Sequence, residues 1–139
     1  MKSIFSTLLL IAVVFNLQAQ QKVVDTFLKN TDTFLKKNVE NGVNYAAVKN
    51  DASLDALIKT IAEIDLSNVD AINKEAFYIN AYNLLVINAA AKSYPLASVQ
   101  DIAGFFDTKK HTVSGERTTL NDLEKDKLCL LYTSDAADE

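Results

Sequence analysis

From Asn73 to about Ala91 the chain is apolar nearly all round, with Phe77, Ile79, Leu84, Leu85, Val86 and Ile87 distributed over every side of a helix. A helix of that kind needs cover on several sides, so the pattern predicts a central helix with the other elements packed around it. Upstream, Val24, Phe27, Leu28, Phe34 and Leu35 recur at helical spacing with Lys29, Lys36 and Lys37 between them, which predicts an amphipathic helix from Val24 to about Val39. The tetrapeptide Thr-Phe-Leu-Lys at Thr26–Lys29 and Thr33–Lys36 is one helix face seen twice, not a repeat architecture. Asn41-Gly42 is the expected stop, and Val43 to Val48 reads as a short extended piece with Val43 and Tyr45 on one side. Leu54, Leu57, Ile58 and Ile61 mark the buried stripe of the next helix, with Ser53 as its expected cap and Ser67 to Asp70 as the polar break after it.

Proline cannot continue a helical ladder and disfavours helix at the residue before it, so Tyr94-Pro95 ends the central helix. Ser98 is placed to cap a short turn running from Val99 to Phe105. Between His111 and Thr119, β-branched residues flank Ser114-Gly115, the signal of a small hairpin; Thr119 or Asn121 then caps a last helix carrying Leu120, Leu123 and Glu124. The expected fold class is α+β, predominantly helical in the portion present. It has its central apolar helix at about 73–91, a hairpin near 111–119, and the C-terminal part of the domain missing.

The run Ala76-Phe77-Tyr78-Ile79-Asn80-Ala81-Tyr82-Asn83 sets two carboxamides and a phenol inside a segment otherwise fit for core. Asn80 and Asn83 are three apart and share a helix face, while Tyr82 projects from another side. A buried amide left unpaired costs on the order of 1–3 kcal/mol, so each is expected to find a partner elsewhere in the fold. Two readings stand: these groups line a cleft, orienting a histidine or polarising a substrate carbonyl, or they tie the helix to neighbouring backbone.

The two ends of the chain differ in character from its middle. Lys2, the apolar run Ile4–Val14 and Leu17-Gln18-Ala19 read as a secretory signal peptide over residues 1–19, so the mature chain is expected to begin at Gln20. The run is well short of the ~20 apolar residues that span a bilayer, and no cysteine follows Ala19 to carry a lipid. The expected location is therefore periplasmic or secreted, with no stable membrane anchor after cleavage. Residues 129–139, from Cys129 to Glu139, back-translate to a sequence resembling a transposase adapter used in preparing sequencing libraries. The native portion is accordingly expected over 20–128, as one partial domain.

Setting aside Lys2 and the tail acids Asp135, Asp138 and Glu139 brings the formal charge from −4 to −2, which leaves no electrostatic footprint for nucleic acid. Cys129, the one cysteine, falls in the tail, so the domain must rely on packing and not on disulfides. His111, the one histidine, reads as surface, because a metal site would want two or three further ligands at suitable spacing. Glu63, Asp65, Asp122, Glu124 and Asp126 read as solvated faces. The three glycines, Gly42, Gly104 and Gly115, form no phosphate loop, nucleotide fingerprint or nucleophile elbow. No metal and no cofactor is expected.

Several stretches together resemble the uncharacterised family catalogued as domain of unknown function 547. They are Gly42-Val43-Asn44-Tyr45, Ala76 to Asn83, Tyr94-Pro95 with Ser98-Val99, Gly104-Phe105-Phe106-Asp107, and Ser114-Gly115 leading to Leu120 and Glu124. Asn44 and Tyr78 depart from the family pattern, which has Asp and Trp there. The resemblance singles out Glu124, which stands where the family motif also has glutamate, and it implies a histidine segment and a cysteine among small residues further on than this chain reaches; Cys129 lacks that setting. It thereby implies a cysteine-dependent hydrolase or transferase acting on a peptide or cell-envelope substrate, its nucleophile beyond the truncation and no catalytic residue assigned within the chain. The alternative is a noncatalytic binding module for an envelope component or another exported protein. Asn80, Tyr82, Asn83 and Glu124 are the candidate cleft or motif residues under either reading.

Overall fold

The computed structural model describes residues 2–95 and 98–129, with side chains described from Gln18 onward. Four helices precede the hairpin: α1 at Lys2–Asn38, α2 at Tyr45–Val48, α3 at Ala52–Glu63 and α4 at Ala71–Lys92. A 3₁₀ turn at Val99–Asp101 leads to strands β1, His111–Val113, and β2, Glu116–Thr118; α5 at Leu120–Leu123 runs on into a π-helical segment, Glu124–Cys129. Among the described residues the chain is thus mainly helical with one two-stranded antiparallel sheet. Residues 130–139, most of the stretch set apart above as adapter-like, lie outside the described residues.

Helix α4 is the hub. It packs against α1, α2, α3, α5 and the π-helical segment, and it buries Phe77, Ala81, Leu84, Leu85, Ile87 and the run Asn88–Ala91. Phe77, Ala81 and Leu84 are wholly inaccessible to solvent. Burying each large apolar side chain is worth roughly 1.5–3 kcal/mol, so this one helix carries much of the hydrophobic stabilisation. From α1 come Val24, Phe27 and Phe34, with the Phe27 and Phe77 rings 5.1 Å apart and tilted; from α3 come Leu54, Leu57 and Ile61. Ile58, expected in the α3 stripe, is only partly buried at its edge.

Helix boundaries follow the caps, and two of these correct the sequence reading. The residue capping α3 is Asp51, not Ser53: its carboxylate accepts the Ser53 amide at 2.8 Å and the Ser53 hydroxyl, placing Ser53 inside the first turn. The expected extended piece after Gly42 is instead the turn of helix α2, because the Asn44 side chain accepts the Ala47 amide at 3.2 Å and starts it; only Val43 pairs as a strand residue, bridging Val39. Asp70 caps α4 by accepting the Asn73 amide at 2.9 Å, and Ser98 forms a reciprocal capping box with Asp101. Thr119 caps α5, as one of the two expected candidates.

The hairpin is held by its turn. Ser114 and Gly115 both have positive φ, the geometry of the two-residue turn that suits twisted antiparallel strands. Their amides donate to the Ile61 and Ala62 carbonyls at 2.8 and 2.9 Å, and the Ser114 hydroxyl donates to the Ile64 carbonyl at 2.8 Å. The carbonyls at the end of α3, left without intrahelical partners, are therefore satisfied by a segment fifty residues further along.

The Asp51 cap generates a test. Ser53 donating to its carboxylate, reinforced by the Lys37 ammonium at 3.1 Å, lowers its pKa from 3.8 to about 2. The folded value lies below the unfolded one, so the contribution is complete above about pH 4 and is lost as pH falls toward 2. Asp51→Ala is expected to lower unfolding free energy by about 1 kcal/mol at pH 7, and the gap to wild type should close across that window in denaturant titrations.

Candidate functional site

Of the residues singled out in the sequence, Tyr82 and Glu124 are brought together. Tyr78 and Tyr82 lie one turn apart on the side of α4 that meets the π-helical segment, where Glu124 and Lys127 are likewise one turn apart. The Lys127 ammonium sits 6.0 Å over the Tyr78 ring, and the Glu124 carboxylate is near enough for its charge to act on the Tyr82 phenol. Pairing 78 with 127 and 82 with 124 is what two helices running in opposite directions produce. Glu116 of β2 closes the group by an ion pair with Lys127 at 3.5 Å.

The electrostatics follow from partial burial. Desolvation raises both phenol pKa values; Glu124 raises that of Tyr82 further, while at Tyr78 the nearby Lys127 opposes the rise and Glu116 adds to it. Both hydroxyls thus stay protonated in the neutral range and are available as hydrogen-bond donors beside an exposed carboxylate. Phe77 braces Tyr78 edge-on at 5.4 Å, which fixes the ring before any ligand arrives.

Asn80 and Asn83 do not join this group as a paired cleft. The Asn80 amide is half-buried and turns back on its own helix, donating to the Ala76 carbonyl at 2.8 Å, so its partner is not from elsewhere in the fold. Asn83 is exposed and needs none. Three positions apart, the two straddle the boundary between the covered and open sides of α4, and the open side also shows Ile72 and Ile79, 78 % and 40 % exposed. The buried carboxamide of α4 is Asn88, which the sequence reading passed over. Tyr78 and Lys127 were also missed; the i, i+4 spacing of Tyr78 and Tyr82 was the available signal.

His111, expected on the surface, is half-buried in β1, opposite Thr118, with Nε2 enclosed and without a hydrogen-bond partner among the described residues. Burial lowers its pKa, and Lys109 lowers it further. Cys129 is exposed and free. Among the described residues no cluster of three or more His, Cys, Asp or Glu could hold a metal ion, and no helix is long and apolar enough to cross a membrane. Crevices of about 370 and 360 Å³ run between α1 and α3, over Phe27, Phe34 and Leu57, and carry no titratable side chain beyond Lys22 and Lys37.

The family model described as "Protein of unknown function, DUF547" matches residues 66–137. The match covers α4, the Gly104–Asp107 loop, the hairpin, α5 and the segment bearing Glu124; the Gly42–Tyr45 stretch lies before it, and it continues through most of Cys129–Glu139. The fold is a small, mainly helical α+β arrangement, and the chain belongs to the DUF547 family. No curated protein and no solved structure matches it.

Asn80→Ala and Asn83→Ala should each change stability by less than about 1 kcal/mol, since one loses only a local bond while gaining helix propensity and the other is exposed. Phe77→Ala should cost about 3–5 kcal/mol. The single histidine gives an unambiguous NMR titration: His111 should titrate below 6.5, and because protonation favours the unfolded chain, stability should fall as pH drops through its folded value. His111→Gln should remove that dependence.

Proposed function

We propose that the protein is exported, with the mature chain beginning at Gln20, and that it recognises a cell-envelope component through the surface where Tyr82 of α4 meets Glu124. The supporting observation is that convergence: two phenols, a carboxylate and an ammonium, drawn from α4 and the segment after α5, form a partly desolvated polar surface on a rigid apolar hub. Such a surface suits recognition, because donors and acceptors fixed before binding lose little entropy on complex formation.

A thiol-dependent hydrolase or transferase is the second reading, favoured by the half-buried Tyr82 phenol beside Glu124, a pair able to donate to and position a polar substrate. In that case the surface is one wall of the cleft, and the thiolate with its base is supplied from outside the residues described.

Expression in a Gram-negative host with fractionation tests export: the expected product is periplasmic or secreted and starts at Gln20 by N-terminal sequencing, whereas retention of Met1 in the cytoplasm contradicts it. Co-sedimentation with purified envelope sacculi tests recognition. Tyr82→Phe and Glu124→Gln should each weaken retention by about tenfold without lowering thermal stability. Wild-type protein that stays in the supernatant would overturn the reading.

A further inference from the structure

We propose that the cleft lined by Gln100, Gly104, Phe106, Asp107 and Asn121 is a saccharide-binding subsite. The cleft measures about 370 Å³ and lies between the loop 99–107 and the start of α5. The proposal deepens the envelope-recognition reading and rests on it for the source of the glycan; the cleft's chemistry stands on its own residues.

The loop is built before any ligand arrives. The Ser98–Asp101 capping box sets its entry, with the Gln100 amide donating to the Ser98 hydroxyl at 3.2 Å. Gly104 has φ +69°, and a Cβ there would approach the Thr108 Cβ to 2.6 Å, so only glycine suits the position. The Gly104 carbonyl accepts the Thr108 and Lys109 amides at 3.0 and 2.8 Å, and the Asn121 amide donates to the Phe106 carbonyl at 2.9 Å, tying the loop to α5. Phe105 is buried and braces the half-buried Phe106 ring edge-on at 4.7 Å.

What this frame presents decides the ligand class. The Gln100 and Asn121 side chains make no hydrogen bond to other described protein groups, so two carboxamides, each with donors and an acceptor, are available to the cleft. The Asp107 carboxylate is exposed and, among the described residues, engaged only by the Thr108 hydroxyl at 3.2 Å. Vicinal sugar hydroxyls both donate and accept, which matches amides beside a carboxylate, and Phe106 lines the same cleft. No Lys or Arg lines the cleft and Asp107 does, which disfavours a phosphate or carboxylate ligand. A purely apolar ligand would strand the three polar side chains. Asn121 of the cleft and Glu124 of the Tyr82–Glu124 surface are three residues apart in the chain, at the junction of α5 and the π-helical segment.

The test is NMR titration of the full chain with N,N′-diacetylchitobiose, and separately with trialanine. The disaccharide is expected to shift the Gln100 and Asn121 side-chain NH₂ resonances, with a millimolar dissociation constant that weakens about tenfold in Gln100→Ala and again in Asn121→Ala. No shift at about 50 mM disaccharide, shifts that survive both substitutions, or shifts with trialanine alone would each overturn the proposal. Sacculus retention that persists when the disaccharide fails would refute the cleft while leaving the Tyr82–Glu124 reading intact.

Discussion

Everything in this molecule depends on enclosing α4. A helix apolar on nearly every side cannot rest on one neighbour, so α1, α3, α2 and α5 are drawn around it, and the short elements sit where they can close what those helices leave open. The hairpin shows how tightly this is coupled. Its turn amides fill the vacant carbonyls at the end of α3, while Val113 joins the core behind it. Local sequence makes the turn, but its place is fixed by the helix end it satisfies.

The same constraint shapes the candidate site. Because α4 is locked by packing, the side chains leaving its margins are held at fixed positions, and Tyr78 and Tyr82 meet the Glu124–Cys129 segment with rings already oriented. Partial burial raises both phenol pKa values, and the neighbouring charges pull them in different directions, with Lys127 acting on one and Glu124 on the other. A rigid frame carrying half-desolvated polar groups is well suited to recognition, whether or not chemistry accompanies it.

Much of the architecture was legible because it rests on periodicity. The central helix, the Val24–Asn38 part of α1, the buried Leu54, Leu57 and Ile61, the Ser114-Gly115 turn and the Ser98 cap all follow from spacing and local hydrogen-bonding chemistry. The misses lie where two local solutions compete. Asp51 and Ser53 can both cap, and the charged residue wins because it collects two donors from Ser53 and an ion pair from Lys37. Val43–Val48 alternates like a strand, but Asn44 starts a helical turn, and among the described residues only the single Val43–Val39 bridge pairs with it. At the site, sequence could name Tyr82 and Glu124 separately but not their meeting, which depends on how the last helix lies across α4. It could not foresee that Asn80 would bond to its own helix, because a mid-helix asparagine can satisfy its amide on the preceding turn without a partner from elsewhere in the fold.

The most direct test of α4 as the hub is native-state hydrogen exchange across the whole chain. The amides from Phe77 to Ala91 should be the slowest in the molecule and should exchange only through global unfolding, with α1, α3 and the hairpin opening at or below that free energy. If the α4 amides exchanged through a smaller local opening while α1 and α3 stayed protected, the central helix would not be what holds the domain together.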